Sequence, residues 1–199
     1  MGREEKLIEI VIKVIIIIAL IYLIYRGYRY FIKMKISKKG IDFIKFHEGV
    51  RYKMYRDTQG YPTIGVGHLI KSNEQYLMTK TLTEKEVDDL FKKDIQEFVD
   101  AANEAFVVPV NQHEFDATIS FLFNVGKGWA GFGNHEIASF IKYRNSIGNY
   151  DKNRMKSLIM RFRNPPEIQG RRAKEARLFT EGNYSESMSA AELNSYLNL

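Results

Sequence analysis

The 199-residue sequence predicts an α+β domain of two lobes, a small antiparallel sheet lobe and a larger helical lobe, preceded by a single transmembrane helix. Three observations predict it. An apolar run occupies Leu7–Tyr25 near the N-terminus. Aromatic and β-branched residues, punctuated by Gly and Pro, fill residues 51–69. From Glu84 onward, apolar residues recur at helical spacing. Hydrophobic content of 45% and charged content of 27% belong to a globular chain, and the composition gives no sign of disorder.

Residues 14–25 read VIIIIALIYLIY, twelve apolar residues without a break, and reaching back past Lys13 to Leu7 gives 19. As a helix that is ~28 Å, close to the hydrocarbon thickness of a bilayer. Lys13 is placed to snorkel toward headgroups at one end, and Tyr22, Tyr25, Tyr28 and Tyr30 form an aromatic belt at the other. A cleaved signal peptide is disfavoured because no small-residue cleavage site follows the run. A buried core helix is disfavoured because the next stretch, RGYRYFIKMKISKK, is too basic for a core. Residues 1–36 therefore read as an anchor with a basic juxtamembrane arm suited to anionic headgroups. Six Lys/Arg follow the span and two precede it, a bias toward keeping the C-terminal side cytoplasmic.

The net charge of +6 sits in this segment. Residues 1–39 hold nine Lys/Arg against three Asp/Glu, and the remaining 160 residues hold 21 of each sign. Without a basic footprint over the domain, nucleic acid is not expected as a partner. There is no cysteine, and the histidines at 47, 68, 113 and 135 lack ligand spacing, so neither a metal nor another cofactor is expected.

Ser37 opens the first helix of the domain, running to about His47 with Phe43, Ile44 and neighbours as its apolar face. Residues 51–69, RYKMYRDTQGYPTIGVGHL, read as short antiparallel strands with a turn at Gln59-Gly60. Thr83-Glu84-Lys85-Glu86 is a capping box that starts a long helix over 84–106. This helix joins the lobes, with a cleft between them. A break at 107–110 with Pro109 precedes a helix from Asn111 or Gln112 carrying Phe115, Ile119, Leu122 and Phe123, which closes at Gly126 and Gly128. Further helices are expected at Asn134–Tyr143, Lys152–Arg161 and Gln169–Glu181. A tail over 183–199 holds a short helix from near Ser189.

Cleavage of a glycosidic bond needs an acid that delivers a proton to the leaving oxygen and a carboxylate near the anomeric carbon. Glu48 lies where the first domain helix meets the first strand, beside Phe46 and before Gly49, where partial burial favours the neutral, proton-bearing form. Asp57 falls in a polar turn that keeps a carboxylate ionised. Thr63, across that turn, is placed to hold a water, and Gly65 and Gly67 leave room for a close approach of substrate to backbone. Taken singly, most Glu and Asp residues are surface charges, and spacing alone carries little weight.

The series Glu48, Asp57, Thr63 within HEGVRYKMYRDTQGYPTIGVGHL resembles the catalytic motif of phage lysozymes, glycoside hydrolase family 24. The resemblance continues through LTEKEVDDLFKKDI at 81–95, NQHEFDATISFLFNVGKGWAGF at 111–132 and QGRRAKEARLF at 169–179, and covers residues 37–182. It implies a lysozyme-like two-lobed fold and a monomeric catalytic domain. The implied activity is an inverting muramidase that cuts the β-1,4 bond between N-acetylmuramic acid and N-acetylglucosamine in peptidoglycan. Glu48 matches the general acid, and Asp57 and Thr63 match the partners that hold the attacking water. Leu69, Phe123 and Asn124 match positions lining the sugar cleft. Arg172 matches the arginine paired with the catalytic Glu, with Arg171 as the other choice. His68 reads as structural, and Trp129 as a core residue beside Phe132 in preference to one that stacks on sugar.

Related enzymes cut the same bond as lytic transglycosylases, using a lone Glu and no water. Asp57 and Thr63 favour hydrolysis, because both serve to hold water. A non-catalytic wall-binding protein of the same fold is the rival from another class, and retention of all three residues argues against it. The resemblance implies a phage endolysin for host lysis. The anchor also suits a virion-associated enzyme that opens the wall at infection, and in either setting the domain must face peptidoglycan.

Overall fold

The apolar run forms one helix. In the computed structural model, which describes residues 2–31, 33–131 and 137–199, α1 spans Arg3–Phe31. Its Leu7–Tyr25 stretch is long and apolar enough to cross a membrane, and none of it is buried within the protein. Lys13 Nζ pairs with Glu9 Oε1 one turn back at 2.6 Å, so the one basic side chain within the run carries its own counter-charge. The side chains of Tyr28 and Tyr30 lie outside the described residues. Met1–Met34 and Lys35–Leu199 pack as two separate units.

In the second unit, α2 (Lys38–Glu48) begins where expected. Ser37 is its N-cap, with Oγ accepting from Gly40 N at 3.0 Å. The helix ends at Gly49, whose φ of 76° turns the chain into the sheet. The sheet has three strands in the order β1 (Arg51–Arg56), β2 (Pro62–Gly65) and β3 (His68–Leu69), all antiparallel. Tyr55 and Leu69 both pair with Thr63, so these three side chains share one face of the sheet. Ile64 pairs with His68 on the other face, where both are buried. Gly65 and Gly67 have φ of 69° and 79°. They make the tight turn between β2 and β3, a backbone conformation glycine adopts readily.

A 3-10 segment, Ser72–Met78, follows the sheet and has no counterpart in the sequence reading. Next comes α3 (Glu84–Ala105), started by the reciprocal Thr83/Glu86 capping box. Helix α4 (Gln112–Val125) is the centre of the helical lobe: all nine residues from Glu114 to Leu122 are buried, as suits a helix surrounded by others. It packs against α3 and α7 (Gln169–Glu181). Aromatic rings fill the core edge-on, with Phe121 touching Phe140 and Phe162 at centroid distances of 4.9 Å each. Trp129 packs edge-on against Phe162 at 5.1 Å.

The expected start of a helix at Asn134 falls outside the described residues, as do Phe132 and His135. The described helix there, α5, runs Ser139–Ser146. α6 (Lys152–Met160) and α8 (Ala190–Leu197) complete the lobe. A polar pair inside it that ties three segments together is Arg144 with Glu114: Arg144 Nε donates to buried Glu114 Oε1 at 2.9 Å and Nη2 to Pro109 O at 2.9 Å. It fixes the break at 107–110 against α4 and α5.

Candidate active site

Glu48 is the last residue of α2, and its side chain is one quarter exposed. Arg171 of α7 donates from Nη1 to Glu48 Oε1 at 2.6 Å. The other two branches of that guanidinium are also taken: Nε donates to Glu175 Oε1 at 3.0 Å and Nη2 to Ser120 O at 3.2 Å. Arg171 therefore cannot swing, and it holds Glu48 by one oxygen. Oε2 of Glu48 carries no hydrogen bond among the described residues, which leaves one carboxyl oxygen to face a ligand. Burial opposes the charge on Arg171, but Glu175 and Glu48 outweigh it and hold the guanidinium above its ordinary value.

Asp57 opens the turn between β1 and β2. Its Oδ1 accepts from Gln59 N at 2.9 Å and Tyr61 N at 2.8 Å, the Asx-turn that short acidic side chains favour. Both backbone donors go to one oxygen, and Oδ2 has no donor among the described residues. Thr63 donates from Oγ1 to Tyr61 O at 3.1 Å. Asp57 and Thr63 are thus held by the two ends of the same residue, Tyr61. The Thr63 hydroxyl keeps its lone pairs for a donor, and the residue is only 4% exposed. No hydrogen bond joins Glu48 to Asp57 or Thr63 among the described residues. They are carried by separate elements, the acid on the end of a helix and the pair on a hairpin.

Of the expected cleft residues, Leu69 is 47% exposed and stands next to Thr63 on the same sheet face. Phe123 is half-buried with its ring against Phe91 and Phe98 of α3, at 5.7 and 5.1 Å. Asn124 accepts at Oδ1 from Arg172 Nη2 at 2.7 Å. The assignment of Arg172 as the partner of Glu48 is corrected: Arg172 is fully buried and spends its donors on Phe162 O, Glu175 and Asn124, and Arg171 is the residue that reaches Glu48. Successive helix positions point about 100° apart, so only one of two adjacent arginines can face α2.

His68 lies behind the sheet with Nδ1 2.9 Å from Asp94 Oδ2 and Nε2 2.9 Å from Glu74 Oε2, tying β3 to α3 and to the 3-10 segment. Burial pushes Asp94 up, against the pull of His68. Sequence reasoning missed Ser120 and Glu175. The signal for Glu175 was present, in an acidic residue three and four positions after two arginines on a helix that also carries Ala173 and Ala176. Among the described residues no cluster of three or more His, Cys, Asp or Glu is placed to hold a metal. The arrangement provides a carboxyl group one quarter exposed with one oxygen free, a second carboxylate with one oxygen free, and a hydroxyl on the same hairpin.

Residues 45–175 match the phage lysozyme family. The chain is 42% identical over 95 residues to the endolysin of Salmonella phage P22, a match that covers 47% of this chain and 65% of that protein, less than two thirds of its length. The solved endolysin of Escherichia coli O157:H7 phage FAHEc1 superimposes with a TM-score of 0.66 at 30% identity, covering 77% of this chain and 98% of that one. The muramidase domain of SpmX from Asticaccaulis excentricus does so with a TM-score of 0.58 at 28% identity, over 73% of this chain and 97% of that one.

Proposed function

The chain belongs to the phage lysozyme family, and on that premise we propose that it is a muramidase that hydrolyses the β-1,4 bond between N-acetylmuramic acid and N-acetylglucosamine in bacterial peptidoglycan. The observation that carries this reading is the division of the carboxyl groups: Glu48 and Asp57 each have one oxygen fixed by the protein and one open. Glu48 gives its proton to the leaving sugar oxygen as the C–O bond breaks. Asp57 and Thr63 hold a water from the opposite side of the sugar, Asp57 accepting its proton as the new bond to the anomeric carbon forms. Attack from the far face inverts the anomeric centre. Leu69, Phe123 and Asn124 line the sugar path. The catalytic domain is residues 37–182, with 183–199 as its tail.

Within residues 1–36, α1 serves as a single-pass membrane anchor, with the domain on the side of the wall. Its support is a fully exposed apolar stretch, Leu7–Tyr25, followed by Arg26, Arg29, Lys33 and Lys35. In this reading the protein is a phage endolysin that acts in host-cell lysis.

Purified peptidoglycan treated with the full chain tests the chemistry. Hydrolysis yields reducing muramic ends heavier by one water than anhydro ends, with the α-anomer formed first, and Glu48→Gln abolishes it. Anhydro ends would sink the assignment in favour of a lytic transglycosylase, and an inactive wild type would favour a wall-binding protein. For the anchor, the full chain fractionates with membranes and resists high-salt extraction, whereas removal of residues 1–34 releases it. Salt extraction of the full chain would refute an integral span.

A further inference from the structure

Glu175 is 1% exposed in the middle of the helical lobe, and the proposed mechanism gives it no task. A carboxylate so deep needs compensation, and its surroundings supply it with unusual economy. Oε1 accepts from Arg171 Nε at 3.0 Å and from Ser120 Oγ at 2.7 Å, and Oε2 accepts from Arg172 Nη1. Burial would push the carboxyl up, but the two arginines prevail and hold it below the ordinary range, so it is an anion at neutral pH. Each arginine then extends beyond Glu175 to a different residue of the proposed site. Arg171 ends on Glu48 Oε1 at 2.6 Å, and Arg172 ends on Asn124 Oδ1 at 2.7 Å.

We propose that Glu175 is a positioning residue that fixes the Glu48 carboxyl through Arg171 and the Asn124 amide through Arg172. The inference rests on the muramidase reading above and deepens it. Chemistry decides how Asn124 points: a guanidinium has only donors, so the amide must turn its oxygen inward to Arg172 and its NH2 outward. Asn124 therefore meets substrate as a donor, matched to a carbonyl such as that of an N-acetyl group. The charge count decides what Glu175 does for Glu48. Two arginines face two carboxylates, so Glu175 offsets one of the two positive charges that would otherwise favour an ionised, proton-depleted Glu48. His47 from α2 and Lys174 from α7 also face the cluster. His47 is neutral above pH of about 4, and Lys174, whose Nζ lies 4.9 Å from the centre of the Phe46 ring, is untouched by the change. Ser120 on α4 contributes its hydroxyl and carbonyl and no charge.

Glu175→Gln in the full chain, detergent-solubilised and assayed on peptidoglycan across pH, tests this. The expected result is a loss in kcat on the order of 10²-fold, a raised KM through Asn124, and a high-pH limb displaced downward by about one unit or more. A variant that melts at lower temperature yet keeps the wild-type KM and pH profile shows a purely structural role and overturns the proposal. Should that variant not fold, Ser120→Ala removes one donor from the same oxygen that orients Arg171. A drop in kcat of about threefold or more supports the proposal, and wild-type kcat and KM overturn it. An inactive wild type is a distinct outcome, because it removes the muramidase reading itself and this inference with it.

Discussion

Asp57 separates what the turn needs from what the proposed chemistry needs, and replacing it in two ways isolates each. Both backbone donors of the turn, Gln59 N and Tyr61 N, go to Oδ1, and Oδ2 has no partner among the described residues. Asparagine keeps an oxygen at Oδ1 and puts an NH2 at the open position. Asp57→Asn therefore preserves both turn bonds, and stability changes by less than about 1 kcal/mol. Asp57→Ala loses two acceptor bonds at ~0.5–1.5 kcal/mol each, or about 2 kcal/mol together, which lowers Tm by roughly 4–8 °C for a domain of this size. For activity the ranking disappears. Both variants lack a carboxylate to accept a proton from water, and each loses about 10²–10⁴-fold in kcat. Thermal denaturation followed by circular dichroism reads the first effect, and release of reducing ends from peptidoglycan reads the second. An Asp57→Asn enzyme with more than a tenth of wild-type kcat would refute the role of Asp57, whatever its stability.

Two further predictions concern the helix that carries the acid. Gly40→Ala tests a close approach: an added Cβ would lie 2.6 Å from Asp116 Cγ, and that buried carboxylate accepts from Ser37 N, Ser37 Oγ, Gln112 Nε2 and Tyr184 Oη. Helix propensity alone favours Ala by about 1 kcal/mol. Overpacking and loosened bonds to a charge outweigh it, for a net loss of about 2–4 kcal/mol in chemical denaturation, and an unchanged or more stable variant would disprove the contact. His47→Phe tests a pH effect: burial, with Arg171, Lys174 and Arg172 adding to it against Glu175, lowers the imidazole to about 4, and its Nε2 is buried with no partner. The unfolded chain takes up that proton near the ordinary pH of 6.5 and the folded chain does not, so stability falls as pH drops from 6.5 to 4, by at most about 3 kcal/mol given partial exposure. Phe, between Phe43 and Phe46, removes that slope; parallel stability curves for the two proteins would show that His47 is not its source.

These two helix positions also show where a sequence is legible. The ends of α2, α3 and α4 could be read from local chemistry alone: Ser37, Thr83 with Glu86, and Asn111 with Glu114 satisfy the first backbone donors of their own helices. The sheet was readable for a similar reason, since its turn residues and alternation act within a few positions of themselves. The site was half readable. Asp57 and Thr63 are arranged by contacts within a hairpin, so their spacing carries their geometry. What surrounds Glu48 is assembled from residues 120, 171 and 175, which come together only when α4 and α7 pack. Nothing local distinguishes Arg171 from Arg172: same residue type, adjacent positions, same helix. The difference is one of rotation, about 100° on the helix, and rotation is set by which face the core claims. Ala173, Ala176, Leu178 and Phe179 are all buried, and with them Arg172 is drawn fully inside while Arg171 stays at the rim within reach of α2. Glu175 follows from the same rotation. Standing four residues after Arg171 and three after Arg172, it is the position on α7 from which a single carboxylate reaches both.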